Sequence, residues 1–255
     1  MIAARPERHE RPEHSERSAP YERDNLLDAL TSHSTLDLQY RHAMRREQQV
    51  TARRLRIRSG DVLSVGCGWH PGRHLFPAPA FRIVAVDADP ERVAGVAAGG
   101  QADEARVGHA GRLPFNDASF DVVLYRLVMH HLAYQGPLEP YFAEAARLLR
   151  PGGALVAIEP GLWHPVGLGL ALANRAGAAT AIHGTPDDIP LSPRSLVALA
   201  GNAGLRPELH AVTYTWRRMP SPLQRALQPL DELGSRPRAA PFGHTLLLIA
   251  RRGNG

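Results

Sequence analysis

The sequence predicts a doubly wound α/β fold with a mainly parallel sheet, and two observations support this prediction. From residue 61 onward, short apolar runs alternate with segments of helical periodicity. The apolar runs are nearly continuous, which is typical of strands that are covered on both faces. Four such strands are predicted, at 61–65, 82–86, 121–125 and 154–158.

Helices predicted at 90–98 and 140–149 lie between these strands. Pro90 suits the first position of the earlier helix, because it follows Asp89, a good N-cap residue. The Pro-Gly-Gly sequence at 151–153 ends the later helix and turns the chain into the next strand.

The last third of the chain has a different pattern of predicted helices and strands. Helices are predicted at 193–203 and 222–233, and strands at 209–216 and 244–250. These two strands are too close in sequence to be separate parallel units with long crossovers. We therefore predict an antiparallel addition at one edge of the sheet.

The N-terminal region is predicted to have two parts. Residues 1–20 alternate Arg and Glu with Pro and His, which indicates a disordered tail and neither a signal nor a transit peptide. Residues 25–30 and 36–55 show helical spacing, so N-terminal helices that cap a substrate are expected over 21–56. The arginine-rich face of the second helix could bind phosphate or nucleic acid, or it could simply be solvated. We prefer the solvated face, because no aromatic residues are interleaved with the arginines. Its arginines are Arg41, Arg45, Arg46, Arg53, Arg54 and Arg56.

The composition excludes several classes of chemistry. All 30 basic residues of the 255-residue chain are arginines, so Walker A, pyridoxal and protein-kinase chemistry lack the lysine they need. Cys67 is the single cysteine, which excludes an intrachain disulfide, a multi-cysteine zinc site or an iron–sulfur cluster. The net charge of +5 is compatible with anionic partners, but coding bias toward arginine is the preferred explanation.

The longest apolar stretch, 161–182, is not a good membrane span. It contains His164, Pro165, Asn174 and Arg175, which a spanning helix would tolerate poorly. A buried or cap helix is predicted there. We expect a cytoplasmic protein with no stable membrane insertion.

A strand that runs into a glycine turn marks the candidate ligand site. Gly66 and Gly68 follow the predicted strand 61–65, and they can adopt positive φ and let a ligand approach the backbone. Asp87 ends the next strand, 21 residues after Gly66, where a carboxylate can accept hydrogen bonds from both hydroxyls of a ribose. The spacing favours an adenosine-type nucleoside. A dinucleotide and S-adenosylmethionine both remain open at this point, although the GxGxxxG pattern departs from GxGxxG.

Taken together, six short segments resemble the class I S-adenosylmethionine-dependent methyltransferases of the small-molecule type. The resemblance runs from about residue 57 to 255, with an insertion at 161–190. It implies a Rossmann-like seven-stranded sheet whose last strand is antiparallel. The N-terminal helices and the helical cap insertion, which the sequence pattern predicts, complete the expected fold. The segments are 62–68, 84–87, 112–115, 119–123, 129–132 and 148–153.

The resemblance also implies the residues that hold S-adenosylmethionine. Gly66, Cys67 and Gly68 would line its methionine part and Asp87 its ribose. Around the adenine would lie Ala88, together with His109 and Ala110, which stand where the family usually has an acidic residue and its neighbour. Arg126, just after the fourth strand, would lie under the methionine moiety and face the substrate.

The expected activity is methyl transfer to a small-molecule acceptor in secondary metabolism. An acceptor with an O–H or N–H group needs a base, for which His130, His131 and Glu159 are the main candidates, beside His164 and His183. No metal is expected. The alternative is a methyltransferase-like protein that catalyses another reaction, such as a cyclisation, or only binds a ligand, as the unusual Ser64, His70 and His109 suggest. A nucleic-acid substrate is disfavoured, since residues 124–127 read LYRL and lack the N-P-P-[YFW] pattern.

Overall fold

The computed structural model of the protein describes residues 33–178, 190–216, 218–233 and 238–254. The predicted tail at 1–20, the predicted helix at 25–30 and part of the insertion, including His183, lie outside the described residues.

The described residues contain one seven-stranded sheet, in the order β3-β2-β1-β4-β5-β7-β6. All neighbouring strands are parallel except for β7, which is antiparallel to both β5 and β6. The predicted doubly wound sheet with an antiparallel last strand is therefore confirmed. The strands are β1 (Gly60–Val65), β2 (Phe81–Asp87), β3 (Glu104–Val107), β4 (Phe120–Arg126), β5 (Leu149–Pro160), β6 (Arg206–Thr213) and β7 (Thr245–Arg251).

The antiparallel addition predicted at one edge of the sheet is confirmed, and it consists of β7 and β6 beside β5. β7 inserts between β5 and β6, and its residues 246–250 are fully buried, as a strand with neighbours on both sides and cover on both faces requires. The edge strand β6 ends at Thr213, earlier than predicted. Beyond it, the backbone N–H groups of Tyr214 and Thr215 donate to Asp231.

Seven helices and one short 3₁₀ helix, Ala240–Phe242, accompany the sheet in the described residues. On one face, α4 and α6 pack against apolar residues such as Leu63, Val123 and Leu155. On the other face, α1 packs against Val62, Leu124 and neighbouring side chains. The helices are α1 (His33–Arg54), α2 (Pro90–Ala98), α3 (Met129–Gln135), α4 (Glu139–Leu148), α5 (Pro165–Arg175), α6 (Pro193–Asn202) and α7 (Ser221–Leu233).

The cap helix predicted within the apolar stretch 161–182 corresponds to α5. His164 caps its N-terminus and Pro165 occupies the first turn, where the missing N–H of proline is not needed. Among the described residues, no helix combines the length and apolar character that crossing a membrane requires.

Candidate active site

The glycine turn after β1 lies at the carboxyl edge of the sheet. Gly66 and Gly68 have φ values of +61° and +52°, in the left-handed region that favours glycine. A Cβ atom on Gly66 would lie 2.3 Å from Cγ2 of Val128, so the turn after β4 packs directly on this glycine. A Cβ on Gly68 would meet nothing within 4 Å. The backbone at Gly68 therefore faces open space, as a ligand-binding turn requires.

Cys67, between the two glycines, is buried against Ala85 and Val96. Burial, reinforced by the nearby carboxylate of Asp87, raises the pKa of its thiol to about 12. The thiol is therefore protonated at neutral pH, and its side chain packs the turn against the sheet and is not a nucleophile.

Asp87 joins the glycine turn to the end of β2. Its carboxylate accepts hydrogen bonds from the backbone N–H of Gly68, at 2.8 Å, and of Asp89, at 3.0 Å. An ionised carboxylate has about four lone-pair sites, so two remain for further donors. The backbone N–H of Gly108 donates to the Asp87 carbonyl, which brings the loop that carries His109 and Ala110 to the same edge. Ala88 and His109 are both exposed there.

Arg126, the last residue of β4, makes a buried ion pair that the sequence did not indicate. Its Nε and Nη2 donate to the carboxylate of Glu47 in α1, at 2.8 and 3.2 Å. His74 lies 2.9 Å from the same carboxylate. Burial alone would raise the pKa of Glu47, but the charge of Arg126 and the contact with His74 outweigh it and hold this pKa below its ordinary value. The pair fastens α1 over the end of β4.

A cavity of ≈ 310 Å³ lies beside this ion pair. Its walls come from α1, the β4–α3 turn, the end of β5, the first turns of α5 and the start of β7. Apolar and aromatic side chains dominate the lining, and Arg126 and Glu47 form one side of it. Examples are Tyr40, Leu127, Val166, Leu170 and Trp216.

Leu127 lies in the turn between β4 and α3, where it lines the cavity, and its backbone is strained. Its φ of +55° lies in the left-handed region, which a leucine seldom adopts. The N–H of Leu127 donates to the carbonyl of Ile158 at 2.8 Å, which holds the strained turn against β5. Strain of this kind persists where the surrounding structure enforces it, and it concentrates at functional sites.

Glu159 supports this turn from beneath. It is fully buried, and one carboxylate oxygen accepts from the N–H groups of Val128 and Met129 at 3.0 and 2.8 Å. The other oxygen lies 2.6 Å from Nδ1 of His130. The structure therefore places Glu159 below the cavity, where it fixes the start of α3 and the orientation of one imidazole.

His130 and His131 both line the cavity, and their ring centroids are 4.0 Å apart. His130 is buried, whereas His131 is partly exposed. Of the predicted base candidates, His130 and His131 thus line one wall of the cavity, and Glu159 is buried behind this wall in contact with His130.

His164 has a structural position. Its Nδ1 accepts from the N–H of Val166, and its Nε2 lies 3.1 Å from the carbonyl of Tyr214. Burial lowers its pKa, so the neutral ring with a proton on Nε2 satisfies both contacts. Both ring nitrogens are engaged in capping α5 and joining it to the end of β6.

A family model for the methyltransferase domain matches residues 63–157, the segment that contains the glycine turn, Asp87, Arg126 and both histidines. A curated relative from Mycolicibacterium smegmatis, named a probable S-adenosylmethionine-dependent methyltransferase, is 37% identical over 117 residues. That match covers 45% of this chain and 44% of the relative, so the chain spans about half the length of the curated relative it matches.

Solved structures of the same fold carry different activities. A methyltransferase from Thermotoga maritima, described as S-adenosylmethionine-dependent, has a TM-score of 0.60 at 16% identity and covers 86% of this chain and 94% of its own. A 4+2 cyclase has a TM-score of 0.54 at 18% identity, with 83% and 82% covered. At such identities the likeness concerns the fold alone. The matching domain model and the curated relative therefore identify residues 63–157 as a methyltransferase domain of the type that uses S-adenosylmethionine.

Proposed function

We propose that the protein transfers a methyl group from S-adenosylmethionine to a small molecule held in the ≈ 310 Å³ cavity. One observation carries this proposal. The turn at 126–128 lines the cavity with Arg126 and Leu127 and packs Val128 on Gly66, so the cavity and the glycine turn share one wall. An acceptor in the cavity would therefore lie next to the methionine end of a cofactor held at that turn.

The crevice residues fit the cofactor. The space beside Gly68, where a Cβ atom would lie, is open. Asp87 retains lone pairs for two ribose hydroxyls. We assign Gly66, Cys67 and Gly68 to the methionine part. Ala88, His109 and Ala110 are assigned to the adenine, and Arg126 to the junction between cofactor and acceptor. When bound, S-adenosylmethionine supplies an activated methyl group, and the protein has to align the acceptor and exclude water.

The acceptor is proposed to be small, uncharged and largely apolar. Leu127, Val166 and Leu170 give the cavity an apolar lining, and Tyr40 and Trp216 add aromatic surface. The charges of Arg126 and Glu47 neutralise each other, so an ionic acceptor would find no unpaired partner in this ion pair. A cytoplasmic enzyme of secondary metabolism, without membrane insertion or a nucleic-acid substrate, is the role we propose.

If the acceptor carries an O–H or N–H group, we propose different roles for His130 and His131, which line one wall of the cavity. We assign the base to His131, because it is the more exposed of the two rings in the cavity. His130 and Glu159 act as positioning residues, since Glu159 holds both the His130 ring and the N–H groups of the turn. Loss of the ascending limb of the kcat/KM–pH profile in His131→Gln, with the limb retained in His130→Gln, would support this assignment.

The test of the function has two parts. Calorimetry with S-adenosylhomocysteine should show saturable one-site binding, and a labelled methyl donor should transfer label to small, uncharged aromatic or terpenoid acceptors. Absence of cofactor binding by the folded protein would refute the proposal. Cofactor binding with conversion of an acceptor but without label transfer would favour the alternative, a methyltransferase-like enzyme for another reaction such as cyclisation.

A further inference from the structure

A second cavity, of ≈ 370 Å³, lies between α1 and α7. Residues 42, 45, 46 and 49 of α1 line it, at the spacing of one helix face. Residues 225, 228 and 229 of α7 form the opposite wall. The acceptor cavity uses residues 39, 40, 43 and 47, which lie on a different face of α1. The two cavities are therefore separate sites that share one helix.

The charged side chains that line this second cavity are all positive. Arg45, Arg46 and Arg225 line it, and none of the lining residues in the described ranges carries a carboxylate. Arg46 is buried, yet among the described residues its donors reach only neutral acceptors: the carbonyls of Val212 and Asp231 and the side chain of Gln49. A buried guanidinium that meets only neutral acceptors favours the approach of an anion.

The carboxylate of Asp231 does not provide that anion. It contacts Nε2 of His42 at 2.6 Å and accepts from the N–H groups of Tyr214 and Thr215 and from the Thr215 hydroxyl. This carboxylate is fully buried behind the cavity wall. Its hydrogen-bonding capacity is taken up by the end of β6 and by His42.

Donors at the cavity remain available for a ligand. Within the described part of the chain, Arg45 and Arg225 make no side-chain hydrogen bond or ion pair, and both are exposed. The side-chain nitrogen of Gln228 is buried, and it has no hydrogen-bond partner among the residues that the structure describes. Buried donors in native structures nearly always have an acceptor, so this amide indicates a missing one.

We propose that this cavity binds the phosphate group of a small phosphorylated molecule. Two guanidinium groups on facing helices can each donate in pairs to phosphate oxygens, and Gln228 adds a neutral donor. A concave site between two helices suits a compact mono- or diphosphate. A nucleic-acid duplex would instead need a stripe of cations along an open surface, extending to residues such as Arg53 at the end of α1.

Inorganic pyrophosphate is the probe for the test, titrated into the full chain by calorimetry at constant ionic strength. The wild type should bind it at one saturable site. Arg45→Ala and Arg225→Ala should each weaken binding by about tenfold or more, since each removes a charge-assisted hydrogen bond. Arg53→Ala is the matched control, because it removes the same charge from an exposed position of the same helix outside the cavity.

Three outcomes would overturn the proposal. Wild-type protein could show no saturable binding, or Arg53→Ala could weaken pyrophosphate binding as much as Arg45→Ala does. A DNA duplex could bind in a salt-dependent way that needs Arg53 as much as Arg45, which would assign the arginine face to nucleic acid. Thermal melts of the variants provide the folding control, and Arg225→Lys serves as a second variant that retains the charge but loses the forked geometry.

Discussion

Glu47 accepts two hydrogen bonds from Arg126, a residue 79 positions later in the sequence, and both side chains are buried. Glu47 belongs to α1 and Arg126 ends β4, so this contact joins the N-terminal helix to the carboxyl edge of the sheet. His74, in the loop after β1, completes the group. Together with His74, the pair thus connects α1 to the ends of β1 and β4, which border the proposed cofactor site.

Glu47→Gln should destabilise the protein by about 3 kcal/mol, because it leaves the buried guanidinium of Arg126 without a counter-charge. Urea unfolding at pH 7 measures the change. Glu139→Gln, at an exposed acid in the first turn of α4, is the control and should cost well under half as much. Equal losses in the two variants would contradict the role given to the ion pair.

The same variant predicts a pH dependence. The pKa of Glu47 lies below its ordinary value of 4.5 in the folded protein, so its ionised form contributes stability above pH 4.5. That contribution is lost as the pH falls through the lower folded-state pKa. The difference in unfolding free energy between wild type and Glu47→Gln should therefore be constant near neutral pH and shrink progressively below 4.5. A difference that grows on acidification would show the opposite linkage.

Gly68→Ala should weaken the binding of S-adenosylhomocysteine strongly, because the new Cβ fills the open space beside the glycine turn. Gly100→Ala is the matched control. It also has a positive φ and open surroundings, but it lies at the end of α2. Both variants should lose about 1 kcal/mol of stability from the left-handed backbone. Only Gly68→Ala should change the dissociation constant measured by calorimetry.

Asp87→Asn should weaken cofactor binding by about tenfold or more, since a carboxylate accepts ribose hydroxyls better than an amide does. Asp89→Asn is the comparison, because asparagine retains the N-cap of α2. Calorimetric dissociation constants for S-adenosylhomocysteine should separate the two variants. Identical constants would remove Asp87 from the proposed site.

Leu127→Gly tests the strained turn. Glycine relieves a left-handed penalty of about 1–2 kcal/mol, while its greater backbone freedom costs about 0.5–1 kcal/mol, so the net gain in stability should lie between about 0 and 1.5 kcal/mol. Ala118→Gly, at φ +52° and remote from the cavity, should gain similarly. Acceptor KM should rise by about tenfold in Leu127→Gly alone, because its side chain lines the cavity. An unchanged KM would indicate that Leu127 does not contact the acceptor.

The central strands were predictable because their hydrophobic pattern reports their environment. β1, β2, β4 and β5 are buried on both faces and read as continuous apolar runs. β3 was not located, because its four residues, Glu104–Val107, lie at the sheet edge and are partly or fully exposed. The placement of β7 between β5 and β6 depends on pairing across the sheet, which local patterns do not encode.

In the candidate site, too, local features could be predicted from the sequence, whereas contacts between distant residues could not. The glycine turn and Asp87 are local features, and their sequence spacing was enough to predict a nucleoside site. Glu47 is paired with a residue of another element, and His42 with Asp231, 189 positions away. Such partners leave no periodic or spacing signal, although an acid surrounded by arginines in α1 could have drawn attention to Glu47.

The residues proposed for cofactor binding and those of α1 proposed for acceptor recognition belong to different segments of the chain. The residues proposed to hold the cofactor lie within 63–157, whereas Gln39, Tyr40 and Ala43 line the cavity proposed for the acceptor and belong to a helix that precedes this segment. Libraries that randomise these three positions should therefore redirect acceptor choice while the affinity for S-adenosylhomocysteine stays constant. The enzyme would then be open to retargeting at its helical wall without any change to the sheet.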